Sequence, residues 1–273
     1  MADSRQRQPM NDRFRLLRRL VAIAAALLAG LSGYIAIVAL PGVWFDRQCE
    51  SGVLSAHVDS VDCARVAPAL RDIETLIRFS ELYRAELHHD LYFAGEQRLL
   101  RRIHPAPVLT ANLSWPPWLS QSISFRHADW QDDALVHPIS GNRVRLRQTM
   151  AHEVVHSLQK ARLGARAAHA APLWKREGYA DYVADRAQRE APGYRHADEL
   201  RNLLDRGVNE VAAGCQQRHG AVDDGGYRWP ACYRLARLMW EFLIDQRGLS
   251  HDEVMDRSLT ADAVLEQMGV RRN

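Results

Sequence analysis

Between Leu20 and Leu40 the chain runs for twenty-one residues without a charge. Coiled as a helix, that run is about 30 Å long, the thickness of a bilayer's hydrocarbon core, so it predicts a membrane-spanning segment. Residues 1–19 carry arginines at 5, 7, 13, 15, 18 and 19 against aspartates at 3 and 12, a net of +4. Arginines before the run and none directly after it predict an N-terminus held in the cytoplasm. Trp44 and Phe45 stand where aromatic side chains would anchor the far interface. The alternative is a cleaved secretory signal. The run is longer than a signal core, and Ala39-Leu40-Pro41-Gly42 is a poor cleavage site, so an uncleaved anchor is the preferred reading. Either way the remaining residues are exported, which in a bacterial cell means the periplasmic side of the inner membrane.

The division expected is a basic cytoplasmic tail (1–19), an anchor (20–40), an exported linker (41–63) and one domain (64–273). The whole chain carries +3 and its first nineteen residues +4, so the remainder sums to −1. The basic balance belongs to the tail, and no nucleic-acid footprint is present. Oligomeric state cannot be read from the sequence. All four cysteines (49, 63, 215, 232) lie beyond the apolar run, in a compartment that permits disulfides. Proximity favours Cys49–Cys63 and Cys215–Cys232, with two other connectivities open.

Periodicity predicts a mixed α+β domain, mostly helical. Apolar residues at 66, 70, 73, 76, 77 and 87 predict a helix from Ala64 to His89. Leu91 to Phe93 reads as a strand and Gly95 to Ile103 as a helix. Ser122 to Phe125 and Ala134 to His137 read as strands, with a turn at Ser140-Gly141-Asn142. Trp115-Pro116-Pro117-Trp118 reads as a stiff aromatic turn, covering the core or lining a cleft. Helices follow at Arg195 to Gly207 and Pro230 to Arg247, with a loop from Gly214 to Gly226 between them. Two short helices, Asp252 to Asp256 and Ala261 to Met268, close the chain.

The chemistry concentrates in the helix expected from Arg145 to Leu163, which contains His152-Glu153-Val154-Val155-His156. Residues four apart share a helix face, so His152 and His156 can offer two imidazole nitrogens to one metal ion. Glu153 points to the flank, within reach of a metal-bound water. A second helix opens at Pro172 and carries Glu177, with the small residues Gly178 and Ala180 allowing close helix approach. Asp181 shares Glu177's face and can accept the spare ring N–H of a histidine ligand, unless it is an ordinary surface carboxylate. Two histidines, one carboxylate and an open position suit a catalytic Zn²⁺ site.

His-Glu-Val-Val-His followed by Trp174-x-x-Glu177-Gly178-x-Ala180-Asp181-Tyr182 resembles the gluzincin zinc metallopeptidases, especially their compact peptidase-MA-like domains. The resemblance covers about residues 145 to 250. It implies a zincin-like fold with a small sheet before the active-site helix, whose edge strand binds an extended peptide or protein substrate. It also implies His152, His156 and Glu177 as zinc ligands, Glu153 as general base and Asp181 as the residue behind a histidine. In the related aminopeptidases a tyrosine opens a helix after the glutamate ligand and stabilises the oxyanion. Tyr233 stands at that place, though the Glu-Lys-Gly that follows the tyrosine there is missing. A core tyrosine is the other reading of Tyr233, and Tyr227, His219 and His251 are substitutes. The activity implied is zinc-dependent peptide hydrolysis outside the cytoplasm. The alternative is a catalytically silent zinc-binding assembly module at the membrane.

Overall fold

The computed structural model describes residues 9–39, 45–59, 61–93, 110–113, 122–125, 128–136, 141–209, 221–224, 227–256 and 258–270. The helix expected at Gly95 to Ile103, the Trp115 to Trp118 turn, His137, Cys215 and His219 lie outside them. Two units separate between Trp44 and Phe45. The first contains helix α1, Pro9–Ala39. It holds a stretch, Phe14–Gly33, long and apolar enough to cross a membrane, as a signal sequence would also be. Arginine and leucine are both good helix formers, so the helix starts at Pro9 and the basic segment joins the apolar run in one rod.

The second unit mixes two sheets with a set of helices. Its first sheet corrects the expectation of a linker at 41–63. Strands β1 (Arg47–Ser51) and β2 (Leu54–Val58) form a hairpin there, and β2 runs parallel to β3 (His89–Phe93). Alternation is what seats them, since Leu54, Ala56 and Val58 point into the core. Gly52, at φ +55°, turns the hairpin, and a Cβ there would strike the Glu74 carboxylate at 2.0 Å. Phe45, the second of the two aromatics expected at the far interface, packs with its ring centroid 5.5 Å from that of Tyr92. The sheet continues through β5 (Ser122–Phe125) to β4 (Thr110–Leu113) in the order β1-β2-β3-β5-β4, with β4 antiparallel at one edge.

Helix α2, Cys63–Ile77, buries Val66, Leu70, Ile73 and Ile77, the periodic residues expected. It ends at Ile77 rather than at His89. Ser80 accepts from the Leu82 N–H at 3.1 Å and contacts the Tyr179 hydroxyl at 2.9 Å, giving the backbone a partner outside the helix. The Cys49–Cys63 disulfide ties β1 to the start of α2, and Cys232 is also disulfide-bonded. Its expected partner, Cys215, is not among the described residues. The Cys49–Cys63 bridge spans fourteen positions, so replacing both cysteines by serine should cost about 3 kcal/mol. Urea unfolding of the oxidised chain and the double variant measures it.

The second sheet has the order β6-β7-β8-β10-β9: β6 (Ala128–Asp129), β7 (Ala134–Val136), β8 (Arg143–Arg145), β9 (Ala221–Asp224) and β10 (Tyr227–Pro230). Part of the loop expected from Gly214 to Gly226 is therefore a strand. Strand β8 runs straight into helix α3, Leu146–Leu163. Asp133 grips the first turn of that helix, its carbonyl accepting from the Leu146 N–H at 2.9 Å and its carboxylate from the Arg147 N–H at 3.1 Å. To do so it adopts φ +50°, which few non-glycine residues tolerate.

Helix α4 (Ala165–Ala170) leads to α5 (Leu173–Ala184), followed by α6 (Arg186–Arg189) and α7 (His196–Asp205). Helix α8 (Ala231–Glu241) runs on into a π-helical turn, Phe242–Gln246. The short helices α9 (His251–Met255) and α10 (Ala261–Gln267) close the chain, near the limits expected. Gly178 sets the α5–α8 contact: a Cβ there would lie 2.6 Å from Trp240 Cδ1 and 2.7 Å from the Ala236 carbonyl oxygen. The neighbour is backbone and cannot swing away. Gly178→Ala should therefore destabilise the fold by about 1–3 kcal/mol, read as a lower urea midpoint at unchanged slope.

Candidate metal centre

Helices α3 and α5 run antiparallel, and both carry polar residues at intervals of four. The pairs they form descend in register. Gln148 donates to Asp185, His152 Nδ1 bonds Asp181 Oδ1 at 2.6 Å, and His156 Nε2 faces Glu177 Oε2 at 3.2 Å. Each step of four along α3 is matched by a step of four back along α5, so one helix repeat generates three rungs. The first rung is anchored from behind, where Arg237 Nε on α8 lies 3.3 Å from Asp185 Oδ2. That rung also borders a cavity of about 600 Å³, lined among others by Asp72, Asp133 and Arg147.

Three ligand atoms converge between the other two rungs. The Nε2 atoms of His152 and His156 are 3.0 Å apart, and each is 3.2 Å from Glu177 Oε2. His152, His156 and Glu177 form a group that could hold a metal ion. A tetrahedral ion with donors about 2.0–2.1 Å away requires separations of about 3.3 Å, close to those found.

The hydrogen bonds behind the rings decide where the protons sit. Gln159 Nε2 donates to the Arg176 carbonyl at 3.3 Å, so its Oε1 must face His156 Nδ1, 3.0 Å away. A carbonyl oxygen only accepts, so that Nδ1 carries the proton and His156 Nε2 is left with a lone pair. Asp181, fully buried, fixes a proton on His152 Nδ1 in the same way. With neutral rings, three lone pairs would face one another within 3.2 Å, and only a shared cation relieves that. When no metal is present a proton serves. Burial alone would lower the His152 pKa, but the charges and hydrogen bonds of Asp181 and then Glu177 overcome it and raise it well above 6.5. Burial would raise the Glu177 pKa, but hydrogen bonds from the two histidines bring it far below the usual carboxylate range.

Of the other residues expected at the site, Tyr233 lies beside it, its ring parallel to that of His152 with centroids 6.4 Å apart. Glu153 is half-buried on α3, and its charge partly offsets the burial that lowers the Lys160 pKa. His251 packs 4.5 Å from the Tyr179 ring and 5.6 Å from that of Trp240, a core position. Two participants were not anticipated, Gln159 and Arg176, whose Nε donates to Glu177 Oε1 at 2.8 Å. Gln159 follows His156 by three residues and Arg176 directly precedes Glu177, a helical adjacency that would have pointed to both.

No family profile, curated protein or solved structure matches the chain.

Proposed function

We propose that the chain is a metal-dependent hydrolase. The observation that carries this is the convergence of two imidazole nitrogens and one carboxylate oxygen, with tautomers that leave every lone pair facing inward. Two nitrogens and one oxygen suit zinc among the common divalent ions, and three protein ligands leave a position for water. Within that class the reading is a membrane-anchored zinc peptidase of the gluzincin kind, zincin-like in fold and acting outside the cytoplasm. The paired motifs, the disulfide and the apolar helix support it.

Zinc bound there would supply a Lewis acid and a water acidified towards a pKa of about 7. Glu153 takes the proton of the attacking water and passes it to the leaving amine. Asp181 and Gln159 hold the two imidazoles in the tautomer that directs Nε2 inward. The Tyr233 hydroxyl donates to the carbonyl oxygen as it becomes negative. Strand β4, at the sheet edge, offers main-chain hydrogen bonds to an extended peptide.

The test uses the full chain in detergent, with elemental analysis of bound metal and digestion of a peptide library. Cleavage should stop when a chelator removes the zinc and return when zinc is restored. Cleavage that persists in metal-free protein would sink the metal mechanism. Stoichiometric zinc without any cleavage would favour the silent assembly module.

A further inference from the structure

The structure assigns a second task to Arg176: we propose that it is a positioning residue confining Glu177 to coordination through one oxygen. The inference rests on the metal-centre reading above. A carboxylate can bind a metal through one oxygen or both, and nothing about Glu177 itself selects between them. Arg176 Nε holds Oε1 at 2.8 Å, while Oε2 alone faces the two histidine nitrogens at 3.2 Å. Guanidinium stays charged throughout the working pH range, so the grip on Oε1 is permanent.

The same arginine is itself held in place. Its Nη1 donates to the His169 carbonyl at 3.2 Å, and its own carbonyl accepts from Gln159, which is bonded to His156. The result is a closed circuit from His156 through Gln159 and Arg176 to Glu177 and back to His156. Two ligands are thereby fixed by one clamp, independently of the Asp181 contact to His152. Two consequences follow from the withdrawal of Oε1. The vertex that a bidentate carboxylate would fill stays open for water. The positive charge also offsets that of the carboxylate, so less of the ion's charge is neutralised.

The experiment is cobalt substitution of the full chain and of Arg176→Gln. The natural chain should show the intense visible absorption of four-coordinate cobalt. In R176Q the freed Oε1 should give the weaker absorption of a five-coordinate ion. Arg176→Lys, which keeps a cation beside Oε1, should retain the four-coordinate spectrum. A spectrum in R176Q equal to that of the natural chain would overturn the proposal, leaving Arg176 a tether to His169. Should R176Q not fold, zinc-edge X-ray absorption of the natural chain decides. Four light donors support the one-oxygen ligand, and five or more overturn it. A natural chain that takes up neither cobalt nor zinc would overturn the underlying metal reading as well.

Discussion

Glu153→Gln is expected to bind zinc as tightly as the natural chain and to hydrolyse peptides about 100- to 10,000-fold more slowly. Glutamine keeps the shape and burial of the side chain, so the ligand cluster on α3 and α5 should be undisturbed. It cannot accept the proton that the attacking water must lose. Metal content and turnover, measured on the same preparation, separate the two effects. Retained turnover in a zinc-loaded Glu153→Gln protein would rule out this residue as the base. Loss of zinc along with turnover would instead place Glu153 among the groups that hold the site together.

The second large effect is expected from His156→Ala, which removes one of three convergent donors. Zinc should be lost at micromolar protein concentration, as elemental analysis after gel filtration would show. With two donors left, one a histidine and one a carboxylate, affinity should not survive dilution. A His156→Ala protein that retains stoichiometric zinc would remove this residue from the ligand set.

Acidity gives an independent check on the intact site. The folded-state pKa of His152 is raised above 6.5 and that of Glu177 is lowered below 4.5. The His152 contribution to the stability of the metal-free fold is thus complete below pH 6.5 and fades as pH climbs through its raised value. The Glu177 contribution is complete above pH 4.5 and fades only in strong acid. Metal-free protein should therefore owe most to this cluster between those two limits, and less in alkali. Zinc must displace the proton on His152, so binding at pH 7 should release about one proton and tighten as pH rises. Calorimetry in buffers of different ionisation enthalpy counts that proton. A count of zero would mean that His152 is already neutral in the empty fold.

Much of the centre was legible because it is written at helical spacing. His152 and His156, and likewise Glu177 and Asp181, lie four residues apart, and any helix must stack such pairs on one face. The amphipathic pattern of α2 and the terminal helices could be read for the same reason. The segment from Arg47 to Asp62 was not legible as part of the sheet. Its alternation is short, and the partner that makes β2 a buried strand is β3, more than thirty residues further on. The hairpin at Ala221 to Pro230 escaped in the same way, since β10 gains its place by pairing with β8 far upstream.

The residues themselves specified two faces, each with a donor pair, and a glycine where the helices had to approach. Only the tertiary structure brought the faces together in antiparallel register. It selected Gln159 to set the tautomer of His156 and turned Arg176 onto the outer oxygen of Glu177. The physical reason is one of range. Helix periodicity is a property of neighbouring residues, whereas the separation of three ligand atoms depends on how two helices pack, and Gly178 against the Ala236 backbone helps to fix that packing.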